Sequence, residues 1–440
     1  VSLARLKDFA GRLESLSENL VEVTGIVTEI TPAFFRIAGL TPFLKLGDRI
    51  DIVGEEAGTG EVVRIDADGA LVKPFANRVE IGLGARARVT DRVTLNPHLS
   101  WRGRILDCMG RPIDGDGTLQ RGDRAVLIEG EPPSALQRGR VSQSISTGIR
   151  AVDVFTPLCA GQRVGIFAGS GVGKSTLLSM LARAHGFDTV VVALVGERGR
   201  ELREFIEDAL GDGRSKAVVI AATSDESAMR RRLAPRTAMA IAEYFRDLGQ
   251  SVLLIVDSVT RYAHAARDVA LAAGEPAVAR GYPPSVFSEL PKLLERAGPG
   301  LEGSGSITGI FSVLVDGDDH NDPVADSIRG TLDGHIVLSR SIAEQGRYPA
   351  IDLLASISRL SQHVWTVEQR ALVMRLRTLV SRFEDTRDLR LMGGYQPGQD
   401  GELDSAVSAV PKLYAALNQL PHAPSSEDGF RDLAEALRAQ

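Results

Sequence analysis

Cysteine, lysine and long apolar runs are all scarce in this chain, and each scarcity removes a class of protein. Its two cysteines, Cys108 and Cys159, stand far apart and outside any CxxC pair. That excludes a disulfide framework and a thiolate zinc site, and it points to a reducing compartment. The longest apolar runs, such as VVVALV and VLLIV, have the length of strands and fall far short of a membrane span. The opening VSLARLKDFAGRLESL mixes charges throughout, so no signal peptide is expected and the chain reads as cytoplasmic. A net charge of -6 gives no general attraction to nucleic acid or to an anionic membrane. Only seven of the 51 basic residues are lysine. The arginine excess reads as compositional bias, and it makes one lysine set among glycines conspicuous.

What is present is a chain of 440 residues, 43% hydrophobic and 25% charged, which suits a soluble protein of two or three domains. Residues 1–20 carry Leu3, Leu6, Phe9, Leu13, Leu16 and Leu20 at helical spacing. This predicts an amphipathic helix, docked either on its own domain or on a partner. Over 21–93 short alternating runs (VEVTGIVTEI, DRIDIV, GEVVRID) are punctuated by glycine, proline and Asp-Gly, which predicts a small β-barrel or sandwich. Over 94–365 strand-like apolar runs alternate with helical patterns. RVGIFA, TVVVALV, AVVIAA and SVLLIVD predict a parallel sheet covered by helices, an α/β domain. Residues 366–440 read as a helical C-terminal domain, with TVEQRALVMRLRTLVSRFEDTRDLRLM and EDGFRDLAEALRA as its clearest segments.

The conspicuous lysine is Lys174. The run Ala168, Gly169, Ser170, Gly171, Val172, Gly173, Lys174, Ser175, Thr176 matches the phosphate-loop pattern, with Ala168 in place of the first glycine. A strand precedes it and a helix comes after, as the pattern requires. The glycines let successive backbone N–H groups turn inward on phosphate oxygens, and the helix adds the positive end of its dipole. Lys174 is placed to bridge the β- and γ-phosphates and the Ser175 hydroxyl to ligate Mg²⁺. Asp257 ends the run VLLIVD at the carboxyl edge of a strand, where it can hold the metal shell or, alternatively, cap the next helix. Glu197 comes after another strand in GERGRE, where a carboxylate can polarise an attacking water. Beside it Arg198 could reach the γ-phosphate and Glu201 a metal-bound water. The same acidic residues are also favoured in any helix's first turn.

Together these stretches resemble the catalytic subunits of rotary-type ATPases and, more closely, the ATPases of type III protein export. AGSGVGKST, VGERGRE, LLIVDSVTRYAHAARD, GEPAVARGYPPSVFSELPKLLERAG, DDHNDPVADSIRGTLDGHIVLSR and GRYPAIDLLASISR carry the likeness, in fixed order, from about Val21 to the C-terminus. The resemblance implies a RecA-like P-loop domain with helices on both faces of its sheet, between the N-terminal barrel and the helical domain. It implies ATP and Mg²⁺ as cofactors, with Glu197 activating water and Lys174, Ser175 and Asp257 in the roles above. Arg359, in ASISR, matches an arginine that reaches a neighbouring subunit's nucleotide, and Tyr348 an aromatic that packs on adenine. Tyr395 aligns only loosely with the same pocket. An arginine supplied in trans implies a homohexameric ring.

Three users of ATP share this fold: an export ATPase, an ATP synthase catalytic subunit, and an RNA-translocating hexamer. The region RFEDTRDLRLMGGYQPG lacks the acidic segment of the synthase. The aromatics Phe34, Phe35, Phe43 and Phe75 read as core and not as base-stacking platforms. GYPPSVF and AFFRIAGLTPFLKLGDRIDI look like the flagellar export branch, with the virulence injectisome as the alternative. The implied partners are export chaperones and substrates, and a regulator or stator-like protein at the N-terminal helix. The implied location is the cytoplasmic face of the export apparatus, with at most peripheral membrane association.

Overall fold

The short alternating runs near the amino end close on themselves. In the computed structural model, which describes residues 23–54, 58–141, 143–315, 322–423 and 428–438, they form six strands. These are β1 (Thr24–Ile30), β2 (Phe35–Ala38), β3 (Arg49–Ile52), β4 (Gly60–Asp66), β5 (Gly69–Pro74) and β6 (Arg86–Thr90). The order β1-β2-β5-β4-β3-β6 is antiparallel and closed by pairing of β6 with β1. Of the two architectures open to the sequence, the barrel is the one formed. Alternate residues point inward, and Val27, Phe35, Ile37, Ile50, Val62 and Val72 fill the interior. Gly69, at φ 139°, turns β4 into β5, and a Cβ there would lie 2.2 Å from the Ile37 carbonyl oxygen. The helix expected over 1–20 lies outside the described residues.

By its contacts the chain divides into two compact units, Val1–Val93 with Asp268–Glu275, and Thr94–Arg267 with Pro276–Gln440. The second is built on a sheet whose main path runs through β7 (Ile105–Leu106), β8 (Arg163–Ala168), β9 (Thr189–Val195), β10 (Ala217–Ala222), β11 (Ser251–Asp257), β12 (Ser306–Leu314), β13 (Gly334–Leu338) and β14 (Ile357–Ser358). Their order is β14-β13-β8-β12-β11-β9-β10-β7, parallel except for β14. Every residue of β9 and β10 is buried. Both faces are therefore covered, which is why these strands read as unbroken apolar runs and not as alternations.

The helices that bear on the site are α1 (Lys174–Ala182), α2 (Gly199–Glu204), α3 (Ala228–Asp247) and α4 (Val259–Ala272). The segment RELREFIEDAL is not one regular helix: α2 gives way to a wider π-helical turn over Phe205–Leu210. Towards the C-terminus, α5 (Val367–Asp385) and α6 (Gly401–Leu417) pack through Val373, Val380, Ala406, Val410 and Leu413 into the same core as the sheet. A capping box starts α5: Gln369 N–H donates to the Thr366 hydroxyl, and Thr366 N–H to the Gln369 side chain.

Candidate functional site

Strand order decides which side chains meet. β8, β9 and β11 end at the same carboxyl edge of the sheet, with β12 between β8 and β11, so the segments leaving the three strands converge. After β8 the chain passes through Gly169, Ser170, Gly171, Val172 and Gly173 into α1. Gly171 (φ 78°) and Gly173 (φ 95°) adopt the left-handed conformation this tight turn needs. Ala168 and Val172 are buried, whereas Ser170, Ser175 and Thr176 are exposed. Lys174 opens α1, whose first N–H groups have no partners within the helix.

Lys174 is ion-paired with Asp257 Oδ1, and Glu197 Oε1 lies 3.8 Å from the same ammonium. Ser312, on β12, donates its hydroxyl to Asp257 Oδ1 at 2.5 Å and fixes that carboxylate from the sheet side. Arg261, four residues after Asp257, sits 3.2 Å from Glu197 Oε2 and also donates to the Gly196 carbonyl. Glu197 is only 9% exposed. Burial, the hydrogen bond with Glu201 and the charge of Asp257 push its carboxyl up to about 7, against the pull of Lys174 and Arg261. The same hydrogen bond holds Glu201 below its ordinary value. Below about pH 7 the pair's proton therefore sits on Glu197 while Glu201 keeps its charge.

Ser175, next in the chain to Lys174, and Asp257, paired with Lys174, offer hard oxygen donors. Among the described residues no group of three or more His, Cys, Asp or Glu could hold a metal by itself. This donor set fits a Mg²⁺ ion that takes most of its ligands from phosphates and water. Glu201 is half exposed, and the Arg198 side chain, 82% exposed, lies 3.9 Å from it. The Tyr348 ring lies beside the loop, its nearest carbons 3.6 Å from where a Cβ on Gly173 would stand. The chain just after α6 holds it there: Asn418 Oδ1 accepts from Tyr348 N–H at 2.9 Å, and Gln419 N–H donates to its carbonyl at 2.7 Å. Tyr395 instead donates to Asp404.

Arg359 is not brought to this site. It comes directly after β14, whose Ser358 pairs with Gly334 at the start of β13, and its N–H donates to the Asp333 carbonyl. The other end of β13, Leu338, pairs with Ala168 at the phosphate loop. The length of that strand, about 16 Å, separates Arg359 from its own chain's loop. Ser312, Arg261 and Arg340, which donates to the Ser170 carbonyl at 3.1 Å, are site residues that the sequence alone did not reveal. Only Arg261 carried a usable signal, one helical turn beyond Asp257.

Residues 148–358 match the ATP synthase alpha/beta family, nucleotide-binding domain, and residues 365–438 the T3SS EscN ATPase C-terminal domain. The flagellum-specific ATP synthase of Agrobacterium fabrum is 55% identical over 99% of this chain and 92% of its own length. This chain belongs to the flagellum-specific and type III secretion ATPase family. Membership makes it an enzyme that hydrolyses ATP. Within the family, the assembled ATPase EscN of the enteropathogenic E. coli type III secretion system is similar in structure, with a TM-score of 0.88 and 40% identity over 94% of this chain and all of that one. EscN in complex with its central stalk EscO gives 0.85 and 39% over 94% of this chain and all of that one. Among the described residues no helix is long and apolar enough to cross a membrane.

Proposed function

We propose that this family member is a Mg²⁺-dependent ATP hydrolase that works as a homohexameric ring and serves type III export of flagellar proteins. One observation carries the hydrolytic reading: a buried carboxylate titrating at about 7, next to the phosphate loop's lysine and an aspartate fixed by Ser312. At that value Glu197 can hold or release a proton near neutrality, as a residue activating water must.

Binding begins with the phosphate loop. The N–H groups of 169–176 receive the phosphates, and Lys174 exchanges Asp257 for the β- and γ-oxygens. Tyr348 offers its ring to adenine. Bound Mg²⁺ would neutralise phosphate charge, held by Ser175 and Asp257, with Glu201 acting through water. Glu197 accepts the proton of the attacking water while Arg261 fixes its orientation. Arg198 reaches the γ-phosphate only when its exposed side chain turns inward. Arg359 acts on the nucleotide of the adjacent subunit, stabilising charge as a finger supplied in trans does.

The ring reading is supported by the position of Arg359 and by EscN, an assembled ATPase. EscN's central stalk EscO supports a stalk partner for this chain. Chaperones, export substrates and a regulator at residues 1–20 are the further partners in this proposal. The corresponding location is the cytoplasmic face of the export apparatus. Deleting the gene tests the assignment. Loss of filaments and of secreted flagellin is expected, while intact filaments would transfer the assignment to an injectisome.

A further inference from the structure

Tyr348 spends both of its backbone groups on the two residues that follow α6. Its N–H donates to Asn418 Oδ1 at 2.9 Å, and its carbonyl accepts from Gln419 N–H at 2.7 Å. Those two residues are themselves firmly held. Asn418 caps α6, its N–H donating to the Tyr414 carbonyl at 3.1 Å. Gln419 is buried, and its side chain accepts from Arg150 N–H at 3.1 Å and donates to the Gly148 carbonyl at 2.7 Å. Further along, the Pro421 carbonyl accepts at 3.1 Å from Arg183, which directly follows α1. Residues 418–421 thus form a strap. It fastens Tyr348 at one end and the far end of the phosphate-loop helix at the other.

We infer that Asn418 is a positioning residue for the nucleotide's base. Acting through Tyr348, it sets how strongly the site prefers a base-bearing triphosphate to a bare polyphosphate. The inference rests on the reading that Tyr348 offers its ring to adenine. That ring is 42% exposed, so packing alone does not fix it. Its setting follows the backbone, and both backbone groups are tied to the strap. Stacking depends on the separation and offset of the two rings, so a small displacement of Tyr348 costs base contact. The phosphate cradle is built from residues 169–176 and stays as it is. Of the two links, the one from Gln419 is a backbone bond that survives substitution. The link from Asn418 is a side-chain oxygen and can be removed. Asn418 touches no part of the nucleotide in this scheme.

Two ligands separate the base from the phosphates. A non-hydrolysable ATP analogue and inorganic tripolyphosphate, each with Mg²⁺, are titrated calorimetrically into the full chain. Both engage the phosphate loop, and only the analogue carries a base. Asn418 is exposed, so Asn418→Ala should fold. It should weaken the analogue about fivefold, the value of one hydrogen bond, and leave tripolyphosphate unchanged. Asn418→Asp keeps the acceptor and should restore the parent's ratio of the two affinities. Tyr348→Ala should lower that ratio by itself, and adding Asn418→Ala to it should change nothing more. Equal weakening of both ligands by Asn418→Ala would make the residue a support of the fold and overturn the proposal. So would a ratio that Asn418→Ala leaves alone while Tyr348→Ala lowers it, and the adenine reading would then stand without Asn418. A ratio that Tyr348→Ala leaves unchanged would overturn the adenine reading itself and this proposal with it.

Discussion

Glu197 is the residue whose environment says most about activity. Its carboxyl titrates at about 7 because it is buried and hydrogen-bonded to Glu201 near Asp257. Below that value the carboxyl is protonated and cannot take a proton from water, so kcat/KM for ATP, which reports the free enzyme, should fall as pH drops through about 7. Glu201→Ala removes one of the influences that raise the value, so the acid limb should move to lower pH in steady-state profiles. A limb that stayed in place would assign the inflection to another group. Glu197→Gln keeps the shape and loses the base. It should bind ATP as the parent does and hydrolyse about 10²- to 10⁴-fold more slowly, which equilibrium binding and phosphate release measure separately. Unchanged turnover would remove Glu197 from the mechanism.

At the scale of elements, the phosphate loop works because two of its residues hold positive φ, and Gly173 does so where it caps α1. A side chain in the left-handed region costs about 1–2 kcal/mol, and on Gly173 it would also point at the Tyr348 ring. Gly173→Ala should therefore weaken ATP binding by about tenfold and leave the circular dichroism of the chain unchanged. Loss of helical signal would mean that the glycine serves folding and not the ligand. Such elements were legible from sequence. The phosphate loop is local, and β8 to β11 are continuous apolar runs because both sheet faces are covered. Ser312 was not legible. It lies within the apolar run of β12, 55 residues from Asp257, and only strand order makes the two neighbours. Arg340 was hidden for the same reason, since β13 adjoins β8 only in the folded sheet. The π-helical turn over Phe205–Leu210 was hidden too, because its apolar spacing is compatible with an ordinary helix.

For the whole molecule the question is whether one chain is one enzyme. Arg359 and the phosphate loop lie at opposite edges of the same sheet, so a single chain cannot close its own site with that arginine. The expected consequence is complementation. Arg359→Ala subunits retain Glu197 and lack the finger; Glu197→Gln subunits retain the finger and lack the base. Each preparation alone should bind nucleotide and hydrolyse poorly. Assembled together, some interfaces join an intact Glu197 to an intact Arg359, and hydrolysis should exceed the sum of the two separate preparations. Dilution below the assembly concentration should abolish the gain, because the restored sites exist only between subunits. If the mixture gave no more than that sum although mixed rings had formed, Arg359 would not act in trans. The double variant Glu197→Gln/Arg359→Ala mixed with the parent sets the baseline. It can donate neither group, so it should poison neighbouring sites in proportion to its share of the ring.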